Sequence, residues 1–93
     1  MGFTQESAVE RAKQDLAKRL GINESEIGEG TVSKVDFPDM SLGAPAEGEV
    51  SAQMISTGWR INLNAMDKNY EYRADKYQLR LKGSDGANLV IVS

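Results

Sequence analysis

The feature that most constrains the fold of this chain is an alternation of apolar and polar residues that is clearest from position 59 onward. Trp59, Ile61 and Leu63 would share one side of an extended segment, with Arg60 and Asn62 on the other. Successive side chains of a β-strand point to opposite faces, so a period of two predicts strands with one buried face. Segments with this pattern, or with a short apolar run, lie at 31–37, 50–54, 59–65, 70–74, 77–82 and 89–92.

Short turn sequences separate several of these segments and favour antiparallel hairpins. They lie at 56–58, 66–69 and 83–87. We expect the last strand to be covered on both faces, because its apolar run at 89–92 is continuous. The polar side of the sheet is expected to face solvent, and its residues are Arg60, Asn62, Asn64, Glu71, Arg73, Gln78 and Arg80.

A helix is predicted upstream of the strands, between Thr4 and Leu20. Apolar residues recur there at three- and four-residue spacing, which gives the helix one apolar stripe. Thr4 or Ser7 can cap its start, and Ser7 with Glu10 fits a reciprocal capping box. Gly21 is the expected left-handed end. One helix followed by about five strands predicts an α+β domain, with the helix packed on an antiparallel sheet.

The size and composition of the chain argue against several classes of protein. Ninety-three residues form a single domain, taken here as 1–93. The net charge of −3 disfavours nucleic-acid binding, although Arg60, Arg73 and Arg80 beside tyrosines could meet a polyanion. Without cysteine or histidine, the chain lacks disulfides, thiolate ligands and the commonest general base. We therefore expect no catalytic residue, no metal and no cofactor.

One short motif has a chemical interpretation, and the N-terminus bears on the compartment. The sequence GSDG at 83–86 resembles part of a calcium loop but lacks the other ligands, so a hairpin turn explains it better. No apolar run is long enough for a membrane span, and the N-terminus lacks the features of a signal peptide. Met1 and Gly2 could instead mark the place of a removed leader. The lack of cysteine and of a leader favours the cytoplasm.

The segment FPDMSLGAPAEG at 37–48 breaks the regular patterns. It holds both prolines and two of the nine glycines. The simpler interpretation is a connection between strands, held by Phe37 and Leu42. The alternative is a recognition loop over 38–48, because a restricted loop loses little entropy on binding and long connections are often functional. Met40 and Leu42 would be its apolar anchors, and the candidate partner-binding residues are Pro38, Asp39, Met40, Ser41, Leu42, Gly43, Ala44 and Pro45.

The same residues resemble the motifs of a family of small bacterial and archaeal domains, often found at the end of secreted or lipid-anchored proteins. The family pattern is W-P-D-x-S-L-G-C-P followed by Y-E-Y-H-T-D, after a helix that ends L-A-K-R-L-G. The matching runs are DLAKRLGI at 15–22, VDFPDMSLGAP at 35–45, GWRINL at 58–63 and YEYRAD at 70–75. The resemblance covers most of the chain and implies the fold, but the family has no established activity.

The chain departs from this family pattern in ways that bear on function. Phe37 replaces the tryptophan, and Arg73 replaces the histidine. Ala44 stands where relatives carry a cysteine, and Ser93 lies near a second one, so the resemblance implies a loop-to-terminus disulfide in relatives that is missing here. The resemblance implies a secreted or cell-envelope location, whereas the missing cysteines suit a reducing compartment or were removed.

Two hypotheses for function stay open. The first is a monomeric, non-catalytic domain whose loop inserts into a protein partner. A protease is the sharpest version of that partner, since the last quarter of the chain has a weak likeness to the C-terminal hairpin of small protease inhibitors. The second is an accessory ligand-binding or sensory domain with a cleft between helix and sheet, which a pocket ringed by Trp59, Tyr70 and Tyr72 would favour. An enzyme is disfavoured, because no nucleophile–base pair is present.

Overall fold

The computed structural model describes residues 2–84 and 86–93. These residues form one helix, a short 3-10 turn and a five-stranded antiparallel sheet, so the predicted α+β fold is confirmed. The strand order follows the sequence, and each strand pairs antiparallel with the next. The elements are α1 (Gln5–Leu20), the 3-10 turn (Glu24–Glu26), β1 (Gly28–Phe37), β2 (Ser56–Ala65), β3 (Lys68–Ala74), β4 (Leu79–Ser84) and β5 (Ala87–Val92).

The helix begins and ends through local hydrogen bonds. The Ser7 backbone N–H donates to Thr4 Oγ1 at 3.1 Å, and the Thr4 N–H donates to Ser7 Oγ at 2.8 Å. The capping box therefore joins Thr4 and Ser7, and the predicted pairing of Ser7 with Glu10 is wrong. Gly21 has a φ of 69°, the left-handed end that the sequence predicts.

The helix packs on one face of the sheet and forms the main core there. Ala12 and Leu16 of α1 are fully buried, as are Ile61 and Tyr72 of the sheet. A part-buried hydrogen bond crosses this interface: the Tyr72 hydroxyl donates to Asp15 Oδ2 at 2.7 Å. Asp15 also accepts two hydrogen bonds from Arg19, one turn further along α1. Burial raises the pKa of Tyr72, so the hydroxyl keeps its proton.

Three expectations about the strands are wrong. Residues 50–54 form no strand, because β1 continues directly into an irregular connection over residues 38–55. The predicted turn at 56–58 belongs to β2, where Ser56 pairs with Phe37. The last strand is not covered on both faces, because β5 is an edge strand in which no residue is buried.

The hairpin predicted around GSDG is present, since Ser84 of β4 pairs with Ala87 of β5. Asp85, within that turn, lies outside the described residues, as does Met1. Among the residues that the structure describes, no helix has both the length and the apolar character needed to cross a membrane.

The Tyr72 hydroxyl gives a direct test of how helix and sheet are joined. Replacing Tyr72→Phe should lower the free energy of unfolding by about 1 kcal/mol, because Asp15 loses one partly buried donor. Urea unfolding measures the change. The matched control is Tyr70→Phe on the same strand, where the side chain is only half-buried. An equal loss in the control would contradict the assigned role of the hydroxyl.

Candidate functional site

The irregular connection between β1 and β2 lies over the face of the sheet opposite the helix. We divide it into an outbound limb (residues 38–45), a turn (residues 46–49) and a return limb (residues 50–55). The turn closes with a hydrogen bond from the Glu49 N–H to the Ala46 carbonyl at 3.0 Å. The two limbs are joined by the Met40 N–H, which donates to the Ala52 carbonyl at 3.0 Å.

Asp39 fixes the shape of the outbound limb from within. Its Oδ1 atom accepts hydrogen bonds from the Ser41 hydroxyl (2.6 Å), the Ser41 N–H (3.0 Å) and the Gly43 N–H (3.1 Å). The hydroxyl of Ser41, together with these backbone donors, lowers the pKa of Asp39. Leu42 and Gly43 both have positive φ angles, 59° and 66°. Leucine rarely adopts that conformation, so its surroundings must impose it.

Side chains of the sheet hold the outbound limb through its backbone carbonyls. Four donors, which we call the carbonyl clamp, come from β3, the residue before β4, β4 itself and β5. An irregular limb has no strand partner, so without these donors its covered carbonyls would lose their hydrogen bonds. The four bonds are Gln78 Nε2 to Met40 O (2.6 Å), Arg73 Nη1 to Leu42 O (2.8 Å), Arg80 Nη1 to Ala44 O (3.1 Å) and Asn88 Nδ2 to Pro45 O (2.9 Å).

Arg80 is the most enclosed member of the clamp, with 4% of its surface exposed. Besides Ala44, its guanidinium binds both carboxylate oxygens of Glu49, with Nη2 to Oε2 at 2.8 Å. Its Nε donates to Gln78 Oε1 at 2.7 Å, which links two clamp residues. The hydrogen bond from Arg80 lowers the pKa of Glu49 to about 2. A buried cation is thereby paired, and the turn is fixed to β4.

Arg73 joins the limb to the apolar side chain beneath it. Its guanidinium lies over the ring of Phe37, 5.5 Å from the centroid, and its Nε donates to Glu71 at 2.7 Å. A Cβ atom on Gly43 would lie 2.7 Å from Arg73 Nη1. Glycine is required at this position both by the positive φ and by the close approach of the guanidinium.

Asp75 anchors the end of the return limb. It is buried, and its carboxylate accepts from the Ser56 hydroxyl at 2.7 Å and from the backbone N–H groups of Tyr77 (2.8 Å) and Gln78 (3.0 Å). Gln78 also binds the Met40 carbonyl of the outbound limb, and Ser56 follows the return limb. The Asp75 carboxylate therefore contacts residues that position both limbs. No sequence pattern predicts this role of Asp75, although the residue ends the YEYRAD run at 70–75.

The structure shows which of the candidate partner-binding residues are exposed to solvent. Ser41, Leu42 and Ala44 are buried, so Leu42 is not the exposed anchor that the sequence suggested. Among the other candidate residues, Pro38 and Pro45 are exposed, while Asp39, Met40 and Gly43 are half-buried. The sheet face beneath is also not the solvated surface that was expected, because Arg73, Gln78 and Arg80 bind the limb.

The return limb carries the exposed apolar side chains of this connection. Val50 is 96% exposed, Met54 64% and Ile55 73%. Tyr77, 71% exposed, lies at the same end of the sheet, because Asp75 binds both Ser56 and the Tyr77 N–H. Val50 and Met54 lie in the segment 50–54, whose alternation predicts a strand with one buried face, so the sequence pattern misplaces both side chains.

A groove lies between α1 and β1. It has a volume of about 600 Å³, and Val9 and Val32 contribute its apolar lining. Its rim includes Glu6, Glu10 and Glu29. Tyr72 is fully buried with its hydroxyl bonded to Asp15, so the expected aromatic pocket does not form around it. Among the described residues, no group of three or more acidic side chains could hold a metal ion.

Comparison with known proteins identifies a family for this chain. Residues 9–82, well over half of the chain, match the family model described as Domain of unknown function (DUF8738). No curated protein matches the chain. No solved structure matches it either.

The carbonyl clamp predicts that two arginines on the same sheet face contribute very differently to the free energy of unfolding. Arg80→Met should lower the free energy of unfolding by about 2–4 kcal/mol, because the Ala44 carbonyl loses the Arg80 donor and Glu49 loses its ion-pair partner. Arg60→Met should lower the free energy of unfolding by less than about 0.5 kcal/mol. The Arg60 side chain is 41% exposed, and its Nε lies 3.6 Å from Glu71 Oε2. Urea unfolding of both variants measures this, and similar losses would contradict the clamp.

The Glu49 carboxylate predicts a specific pH dependence. Its pKa in the folded protein is about 2, against an ordinary value of 4.5. The stability that Glu49 contributes is therefore complete above pH 4.5 and lost as the pH falls toward 2. The difference in free energy of unfolding between wild type and Glu49→Gln should shrink over this range. Glu47→Gln, on the exposed part of the turn, is the control. A difference that stays constant with pH would contradict the ion pair.

Proposed function

We propose that this chain, which belongs to the family described as Domain of unknown function (DUF8738), is a non-catalytic protein-binding domain. The contact surface in this proposal is the return limb, and the outbound limb is its support. The observation that carries the proposal is the exposure of Val50, Met54 and Ile55 on a segment that is fixed on both sides.

Exposed apolar side chains that gather on one segment mark a candidate contact surface. The return limb is held at both ends by hydrogen bonds to the sheet. Glu49, before the limb, binds Arg80, and Ser56, after it, binds Asp75. A segment fixed in this way loses little conformational entropy when a partner binds. This arrangement favours recognition over a plain connection.

The most specific form of this proposal is that the partner is a protease. The return limb has no regular secondary structure and is held at both ends by side chains of the sheet. A protease binds its substrate as an extended segment, and a segment that its scaffold already holds loses little conformational entropy when it enters such a groove. The chain would then act as an inhibitor and would need no catalytic residue of its own.

The groove between α1 and β1 supports a second candidate, an accessory ligand-binding domain. Its volume of about 600 Å³ is within the range of small-molecule sites, although much of its rim is acidic. NMR titration with a small-molecule library tests this role. Saturable shifts at Val9 and Val32 would support it, and an unchanged spectrum with every compound would contradict it.

The primary proposal is tested with variants of the return limb. Met54→Asp and Ile55→Asp should weaken partner binding about tenfold or more, because each places a charge in an apolar contact. The measurements are inhibition constants against a panel of purified proteases and capture of partners from a lysate. Thermal melts should stay close to wild type, because both side chains are exposed.

The matched control is Met66→Asp, in the turn between β2 and β3. Met66 is 66% exposed, nearly the same as Met54, and it belongs to a different turn of the sheet. Binding that Met66→Asp weakens as much as Met54→Asp does would contradict the surface. A captured partner that tolerates both return-limb variants would also contradict it, and inhibition of no protease would remove the protease version.

A further inference from the structure

The last part of the return limb is attached to the rest of the chain on both sides. On one side, the Ala52 carbonyl accepts a hydrogen bond from the Met40 N–H at 3.0 Å. On the other side, the hydroxyl of Ser56, the first residue of β2, donates to the buried carboxylate of Asp75 at 2.7 Å. Residues 53–55 therefore lie between two closely spaced fixed points.

The backbone between these fixed points is extended and unpaired. The chain has no turn or bend from residue 49 to residue 55. In the described part of the chain, the backbone N–H and carbonyl groups of Gln53 and Met54 form no hydrogen bond. A partner can bind an extended segment of this kind through main-chain hydrogen bonds, with pockets for its side chains.

The side chains of this segment are apolar on both sides of one peptide bond. Met54 is 64% exposed and Ile55 73%. Successive side chains of an extended segment point in opposite directions, so a flat surface would contact only alternate residues. Two adjacent exposed apolar side chains instead fit a cleft that encloses the segment from both sides. The active-site cleft of a protease has this form.

We propose that Met54 is the specificity residue of this surface and enters the primary specificity pocket of a protease, with Ile55 on the far side of the same bond. This inference rests on the proposed function and adds the class of protease. Met54 is apolar, and residues 50–55 contain no charged side chain. The pocket that receives Met54 is therefore apolar, as in chymotrypsin, whereas the pocket of trypsin carries a carboxylate for a cation.

Position and side-chain shape select Met54 over Ile55. Met54 lies midway between Ala52 and Ser56, so both sides of the bound residue are held. Its unbranched side chain adapts to a narrow pocket, whereas isoleucine is branched and stiff at Cβ.

The inference is tested by changing the charge of the specificity residue. Wild type should inhibit chymotrypsin or subtilisin and leave trypsin uninhibited. Met54→Lys should inhibit trypsin about tenfold or more strongly than wild type does, and should lose inhibition of the other two enzymes, because lysine matches the carboxylate of the trypsin pocket. Gln53→Lys, which places the same charge at the neighbouring exposed position, is the matched control and should not create trypsin inhibition.

A second measurement uses wild type alone. Prolonged incubation with excess chymotrypsin should first cleave the bond between Met54 and Ile55, where water adds to leave a carboxylate on Met54 and an amine on Ile55. Tyr77 is the internal comparison, because it is 71% exposed but its N–H is bound by Asp75. Mass spectrometry of the fragments locates the first cut.

The outcomes separate this inference from the proposed function. A partner that is not a protease, but whose binding Met54→Asp abolishes, would support the proposed function and overturn this inference. Inhibition of neither chymotrypsin nor subtilisin would overturn it too. So would equal gains of trypsin inhibition from Gln53→Lys and Met54→Lys, or a first cut after Tyr77.

Discussion

The structure depends on hydrogen bonds from sheet side chains to backbone carbonyls of a segment that has no strand partner. A covered carbonyl without a donor costs free energy, so an irregular limb cannot lie on a sheet unless something supplies donors. Arg73, Gln78 and Arg80 supply them at alternate residues of the outbound limb. The limb thereby acquires a fixed shape without helix or strand.

This requirement makes the two faces of the sheet chemically different. The helix face is apolar and packs in the ordinary way around Leu16 and Tyr72. The opposite face buries a guanidinium, which is stable there because Arg80 has enough donors for a carboxylate, a carbonyl and a side-chain amide at once. The acid that pairs with it, Glu49, comes from the connection itself. The covering segment and the sheet therefore complete each other's hydrogen bonds.

Residues 35–45 and 70–75 contact each other in the folded chain, since Arg73 donates to the Leu42 carbonyl. Asp39 organises the outbound limb, while Arg73 and Asp75 of the second run hold the connection on the sheet. Their first role is thus to build a support. In the proposed function, the contact surface is the return limb, which follows residues 35–45 along the chain, whereas Leu42 within those residues is buried.

The helix and most of the sheet were predictable, because a helix or strand with one buried face has apolar residues at regular spacing in its sequence. The alternation at Trp59, Ile61 and Leu63 marks a real strand, and Gly21 marks a real helix end. The same pattern failed at 50–54, since alternation records the spacing of apolar residues and not whether anything covers them. The polar face was misjudged for a related reason: Arg73 and Arg80 look like solvent-facing residues until the segment that lies over them is known.

Native-state hydrogen exchange of the connection tests the central claim most directly. The N–H groups of Leu42, Gly43 and Ala44 are all hydrogen-bonded within the clamped limb. We expect these N–H groups to exchange only through global unfolding, at the same free energy as the core of β2, while those of Gln53 and Met54 in the return limb exchange far faster. Equal, fast exchange along both limbs would show that the limb is not held by the sheet.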